Sequence, residues 1–434
     1  MNLTPILMFI TLFISLLIGF PISFGLAFIS ISFAVVLWGM PGVNLLISAA
    51  WGTMNNFTLM AVPLFIFMAI LLEKTGIVSD LYDTFYKWSG GIRGGLAVAT
   101  ILVGTIIGAV SGVVAAGVIG LGVIALPQMR KYKYDNLITL GSITAGGTLG
   151  QVVPPSLNMV VYGAVAGVSV GKLFTGGVSI GIFLASIYIL YILIRSFINK
   201  DLCPALPKND RASFFEKILS LKNILIPGIL IILVLGSILL GATTPTEGAA
   251  LGCFGALLYG ILSKRIDIKI VKEISVQTFK VSGMVIWIIL AAGSFSGVFS
   301  GVGGNALMHN LASILPGGGW GVVLFASVLV IILGMFLETI AVIMLIGPIF
   351  SPIIVSYGFD PLWWGLVFMT LLQIGYISPP FGLSLFYLKG VRDDIEISDL
   401  YKSSLPFIAI QIICISILML LPEMVVWLPN LLAK

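Results

Sequence analysis

Two stretches of the 434-residue chain combine polar side chains with backbone breakers inside apolar sequence. The first runs Gly146-Gly147-Thr148-Leu149-Gly150-Gln151-Val152-Val153-Pro154-Pro155-Ser156-Leu157-Asn158. The second runs Gln373-Ile374-Gly375-Tyr376-Ile377-Ser378-Pro379-Pro380-Phe381-Gly382. Paired prolines remove two backbone donors and disfavour helix at the residue before each. The flanking glycines loosen the same turn. In hydrocarbon every carbonyl freed this way must find a partner. A helix broken at that depth is tolerated where it is buried in protein or lines a watery cavity. Helix N-termini there offer donors to an anion, and freed carbonyls with Ser or Thr hydroxyls suit a hard cation such as sodium. The plain alternative is two kinked helices with packing prolines.

Two further spots belong with these. Ser111-Gly112 and Glu338-Thr339 each fall near the middle of a long apolar run. Glu338 is the one acid deep in a hydrophobic segment, and intramembrane acids are costly and usually functional. Its structural alternative is to cap a helix N-terminus. The expected sodium set is Ser111, Gly112, Gly147, Thr148, Gly150, Pro154, Glu338, Thr339, Gly375, Ser378 and Pro379. The expected substrate set is Gln151, Pro155, Ser156, Asn158, Gln373, Pro380 and Phe381. Gln151, Asn158 and Gln373 could instead join helices by hydrogen bonds.

Composition places these spots in a bilayer. The chain is 59% hydrophobic and 9% charged, against roughly 25% charged in soluble domains, and its mean hydropathy is +1.17. It is expected to be an all-α polytopic membrane protein. Cys203, Cys253 and Cys414 have no paired spacing, and His309 is the only histidine. No disulfide framework or transition-metal centre follows. No basic stripe interleaves with aromatics, so nucleic acid is not an expected partner. The N-terminus has no basic region before its apolar run and is expected to be a retained span.

The elements that must position these residues follow in order. Residues 3–37 are expected to form two short spans broken at Gly19-Phe20-Pro21, and 57–72 the next span. Ile77, Leu81, Phe85 and Trp88 recur at helical spacing opposite Asp80, Asp83 and Lys87, which predicts an interfacial amphipathic helix. Residues 94–127 are bracketed by Arg93 and Arg130, so a hairpin entering and leaving on one face is expected, with Ser111-Gly112 at its tip. A broken span over 136–168 and a span over 174–194 follow. Thr244-Pro245-Thr246-Glu247 predicts a capping box between spans 224–240 and 248–262. Residues 264–280 form a second basic amphipathic stretch before a span over 281–299. Residues 305–315 are weakly amphipathic, 320–348 form a second hairpin candidate, 362–388 hold the second break, and 405–428 close the chain.

Loops 73–93, 130–135, 195–222, 264–280 and 389–402 hold all but Lys172 and Lys434 of the 22 basic residues. That asymmetry assigns them to the cytoplasm. Residues 76–175 and 302–401 then align with opposite orientation. Gly150, Pro154 and Pro155 map onto Gly375, Pro379 and Pro380 at one offset, and Asp135 and Pro127 map onto Asp360 and Pro352. Inverted repeats with two broken spans place a binding site near the midplane between them.

At these residues the chain resembles the large membrane subunit of tripartite ATP-independent periplasmic (TRAP) transporters, the DctM type. The matching stretches are Met60-Ala61-Val62-Pro63-Leu64-Phe65, Gly91-Ile92-Arg93-Gly94-Gly95, Gly147 to Ser156, Ala242 to Ala249, Gly334 to Thr339 and Leu372 to Gly390. They cover nearly the whole chain. Family members commonly carry Asp where Glu338 stands here. The resemblance implies a sodium-driven importer of small organic anions, carboxylates or sulfonates, in a bacterial inner membrane. It implies a four-span small membrane subunit and a periplasmic substrate-binding protein as partners, with membrane lipid around the chain.

It also implies an elevator. Residues 1–93 and 176–301 would supply scaffold spans and arms. Residues 94–175 and 302–401 would carry the two moving repeats, the second with its own interfacial arm, and 402–434 a final span. No nucleotide-binding glycine motif is present, so an ion gradient is the expected energy source. The alternative is a stand-alone ion-coupled carrier or antiporter of the same architecture. An enzyme would need a nucleophile–base pair or metal set that this chain lacks.

Overall fold

The computed structural model describes residues 3–111 and 114–432. Among them the chain is all helical, with 21 α-helices, and nine helical segments are long and apolar enough to cross a membrane. Proline and glycine set most of the divisions. Helices α1 (Thr4–Leu17) and α2 (Ile22–Trp38) part at Pro21, as the sequence suggests. A third helix, α3 (Met40–Met54), precedes α4 (Ala61–Lys74) and packs on α2; sequence reading did not separate it.

Next come α5 (Ile77–Ser89), α6 (Gly95–Ser111) and α7 (Val114–Lys131). Then α8 (Asn136–Thr148) and α9 (Leu157–Ala166) flank the first break. Helices α10 (Val170–Ile198), α11 (Phe214–Ser220), α12 (Lys222–Leu239) and α13 (Pro245–Leu262) lead to α14 (Ile268–Gly301). The second half holds α15 (Gly304–Ile314), α16 (Gly319–Phe336), α17 (Thr339–Ser356), α18 (Pro361–Ile377) and α19 (Leu383–Lys389). Helices α20 (Ile397–Leu420) and α21 (Glu423–Leu432) close the chain.

Two elements differ from expectation. Residues 268–280 are not a separate interfacial stretch but the first turns of the 34-residue α14. No Gly or Pro interrupts them, and the backbone ladder continues through a change in polarity. The closing span starts at Ile397 and ends at Leu420, and a separate helix follows Pro422. The capping box forms as expected, Thr244 N–H donating to Glu247 at 2.7 Å and Glu247 N–H to the Thr244 hydroxyl at 3.3 Å.

The repeat is visible in local detail. Asp135 caps α8 by accepting from Leu137 and Ile138 N–H, and Asp360 caps α18 by accepting from Leu362 and Trp363 N–H. The amphipathic helices α5 and α15 each begin after a left-handed glycine, Gly76 at φ +73° and Gly303 at φ +87°. That backbone shape carries little cost only in glycine.

The packing is reciprocal as well. α6 lies on α8 and α16 on α18. The second helix of each pair then crosses over: α7 packs on α19, and α17 packs on α9. The Tyr162 hydroxyl of α9 meets the Ser351 hydroxyl of α17 at 2.9 Å, tying that crossing in the core.

Candidate functional site

The site is set by how closely backbones approach. A Cβ on Gly104 would lie 2.5 Å from the Gly146 carbonyl oxygen, and one on Gly108 would lie 2.5 Å from Gly150 Cα. One on Gly147 would lie 2.7 Å from Val118 N, and one on Gly375 would lie 2.8 Å from Gly334 Cα. Real side chains do not fit at such distances. These glycines therefore seat α6 and α7 on the first break and α16 on the second. Gly147, Gly150 and Gly375 act through this seating.

Each break resolves its backbone in a similar way. The Ser156 hydroxyl donates to the Gln151 carbonyl at 2.9 Å, and the Ser384 hydroxyl donates to the Tyr376 carbonyl at 2.7 Å. Gln151 and Tyr376 are equivalent positions of the repeat. The Leu149 carbonyl accepts from Val152 and Val153 N–H, and the Pro380 carbonyl accepts from the Tyr401 hydroxyl at 2.5 Å. Several carbonyls expected to be free are thus already engaged, because hydroxyls on the following segments reach them. The Ser378 hydroxyl bonds the Ile374 carbonyl at 2.7 Å.

Two side-chain amides are left with unpartnered atoms. Gln151 is fully buried and neither of its amide atoms has a partner. Gln373 is also fully buried; its Nε2 donates to the Thr148 hydroxyl at 3.2 Å, while its Oε1 has none. Leaving a buried donor or acceptor unpaired costs about 1–3 kcal/mol. Thr148 and Gln373 are equivalent positions, 225 residues apart. Two equivalent positions that touch must lie on the pseudo-two-fold axis between the repeats.

The second tip makes a contact of its own between the repeats. Glu338 is half-buried at the N-terminus of α17, where its carboxylate accepts from Ile340 N–H at 2.8 Å. The Thr339 hydroxyl lies 3.2 Å from Glu338 Oε1 and 3.2 Å from Asn158 Oδ1 of α9. Its single proton serves one acceptor at a time. The capping role weighed for Glu338 is therefore present in the geometry, and only the capping oxygen is committed to it. Tyr376 is buried near the end of α18, and Tyr387 lies in α19 across the second break. Neither was in the expected set. For Tyr376 the signal was available, since it is the repeat equivalent of Gln151.

The remaining expected residues divide. Pro154 and Pro155 are buried; Pro379 is half-buried and Pro380 exposed. Both Pro–Pro bonds are cis. Phe381 is 50% exposed, and its ring meets Phe336 of α16 at 5.2 Å. Ser111 ends α6, and Gly112 lies outside the described residues. The hydroxyls of Thr148 and Thr339 and the amides of Gln151, Asn158 and Gln373 are oxygen-bearing groups of the kind that suit a hard cation rather than a soft one. Among the described residues no three His, Cys, Asp or Glu side chains cluster as metal ligands.

Comparison with known proteins names the family. The family profile described as "Tripartite ATP-independent periplasmic transporter, DctM component" matches residues 9–424. The C4-dicarboxylate TRAP transporter large permease protein of Pseudomonas aeruginosa is 31% identical, covering 92% of each chain. The sialic acid TRAP transporter large permease of Vibrio cholerae is 28% identical over 94% of each chain. The ectoine TRAP transporter large permease of Halomonas elongata is 28% identical over 92% of this chain and 93% of its own. In fold, the chain is similar to the YdaH transporter of Alcanivorax borkumensis, with a TM-score of 0.59 at 14% identity, covering 91% and 90%. The chain belongs to the DctM family of TRAP large permease subunits: it is a multi-pass membrane transport protein and not an enzyme.

Proposed function

We propose that this DctM-family chain is the large membrane subunit of a sodium-coupled importer for a small organic anion. It works in the bacterial inner membrane. A periplasmic binding protein delivers the anion, and a four-span small subunit completes the complex. The relatives named for C4-dicarboxylates and sialic acid support an acidic cargo. The relative named for ectoine leaves the carboxylate or sulfonate class to be decided by assay.

In this reading α6–α7 and α16–α17 are re-entrant hairpins. They move with the broken helices, residues 94–175 and 302–401, against a scaffold of 1–93 and 176–301, with 402–434 completing the chain. The reciprocal crossing of α7 onto α19 and α17 onto α9 supports one moving body, because each repeat packs on the other. Sodium takes oxygens at Thr148, Thr339 and Glu338, and helix N-terminal donors receive the anion.

The observation that carries this reading is Gln151. It is fully buried, both its amide atoms are unpaired, and it lies three residues from the Thr148–Gln373 contact that joins the repeats. A cargo anion or coupling ion would complete those bonds. The test is uptake of radioactive sodium and of labelled C4-dicarboxylate or sialic acid into proteoliposomes holding all three proteins. Anion uptake that ignores an imposed sodium gradient would overturn sodium coupling. Uptake undiminished without the binding protein would favour the stand-alone carrier.

A further inference from the structure

Helix α14 has 34 residues. At 1.5 Å per residue it is about 51 Å long, against about 30 Å of hydrocarbon. Its first turns must therefore stand at the membrane surface, on the side that collects the basic residues. Lys269, Lys272 and Lys280 fall there on one face of the helix, rising about 16 Å from first to last. All three are exposed. Among the described residues none of the three joins an ion pair. Lys272 and Lys280 sit with Glu273, Val276 and Gln277 on one open surface pocket. Glu273 itself is 4.0 Å from Lys74.

Gln277 also lines a second feature. A cavity of about 510 Å³ runs between α14, α4 and α7. Its walls include Ile66 and Ile70 of α4, Ala116, Ile119 and Val123 of α7, and Val281 of α14. Its polar groups are Glu73, Ser79 and Gln277. A row of unneutralised lysines thus adjoins a mostly apolar cavity. Solutes of one chemistry do not match both, but an acidic amphiphile does.

We propose that this seam holds one anionic phospholipid, its acidic headgroup drawn to the row of Lys269, Lys272 and Lys280 and an acyl chain in the cavity. Charge decides the class: a neutral lipid would leave the lysines unmatched, and Glu273, which shares their surface, is turned toward Lys74. The lipid would fill the gap between α7 and the helices α4 and α14. This assignment stands apart from sodium coupling, and its test reads no transport.

The test is electron paramagnetic resonance of the full chain in phosphatidylcholine vesicles, with spin-labelled phosphatidylglycerol or spin-labelled phosphatidylcholine as the probe. Each lysine near an acidic headgroup strengthens attraction about fivefold. Partly screened, the three should give an immobilised fraction favouring phosphatidylglycerol at least about tenfold. The K269Q/K272Q/K280Q variant should lower that preference to about one, and K269R/K272R/K280R should keep it. For the wild type, 1 M salt shrinks the screening length to about 3 Å and should remove most of the preference without any substitution. Ile119→Trp, which occupies the cavity, should reduce the immobilised fraction. Equal immobilisation of the two probes, a preference retained by the glutamine variant, or loss of the preference to millimolar inorganic phosphate at constant ionic strength would overturn the proposal.

Discussion

Replacing Gly108 by alanine tests the seating of the first helix pair on the first break. The added Cβ would stand 2.5 Å from Gly150 Cα and 2.6 Å from Gly150 N. Ordinary van der Waals contact starts near 3.4 Å, so the helix must retreat by roughly 0.9 Å or the break must shift as far. Both neighbours are backbone, so no rotamer can relieve the clash. Overpacking of this kind costs about 1–3 kcal/mol. If it falls on the geometry of the ion site, sodium affinity drops about 5- to 150-fold. The assay is the sodium concentration giving half-maximal uptake in proteoliposomes. Gly120→Ala is the control, since its nearest neighbour, Val78 Cγ1, is 3.7 Å away and the methyl fits. Wild-type sodium dependence in G108A would refute the argument that backbone contact between α6 and the break sets the site.

Four further outcomes follow. Glu338→Ala should insert normally but lose uptake. Glu338→Gln keeps an acceptor for Ile340 N–H and should still lose uptake at least about tenfold, whereas normal transport by E338Q would reduce Glu338 to a helix cap worth about 0.5–2 kcal/mol. Pro155→Ala and Pro380→Ala should each weaken sodium dependence, because the break heals more readily into helix; unchanged sodium curves in both would count against ion binding at the breaks. Thr148→Val and Gln373→Leu should show a coupling of about 0.5–3 kcal/mol in a double-mutant cycle on thermal stability, and additivity would deny their contact. Asp394 is held below its ordinary carboxylate range chiefly by its hydrogen bond from Arg130, with Arg392 adding to it. A depressed carboxyl stabilises the fold above its unfolded value and loses that effect as pH falls through its folded value. Asp394→Asn should therefore lower the unfolding temperature at neutral pH, and the difference should shrink as pH falls below the ordinary carboxylate range.

What could be read from sequence was what local rules govern. Thr244 and Glu247 announce a helix start because a capping box is a contact between near neighbours. The breaks at Pro154-Pro155 and Pro379-Pro380 were legible because proline cannot donate. Helix α3 escaped notice because its apolar residues are interrupted by Asn44, Ser48 and Gly52, and of its residues only Gly42 is buried. Residues 264–280 misled for the opposite reason: their lysines suggest a surface helix, but polarity does not end a helix. The contacts that make the site, Thr148 with Gln373 and Thr339 with Asn158, join distant segments. No spacing rule reaches them. Only the repeat offered a route, since equivalent positions beside a two-fold axis can meet.

The two breaks are alike in backbone and unlike in side chain, and that division bears on mechanism. In both, a serine hydroxyl bonds the carbonyl at the same repeat position, yet Ser156 and Ser384 are not equivalent residues. The fold therefore requires that carbonyl to be satisfied and leaves the donor's position open. The side chains at that position differ, an unpaired Gln151 in the covered first break and a buried Tyr376 in the second. The first break is nearly all buried, whereas Pro380 and Phe381 of the second are exposed. Shared backbone with divergent side chains is what a transporter needs if its two repeats hold symmetric positions but treat different species. On that argument Pro155→Ala and Pro380→Ala should not act equally. The buried substitution should disturb packing and sodium dependence together, and the exposed one should change sodium dependence with little loss of thermal stability.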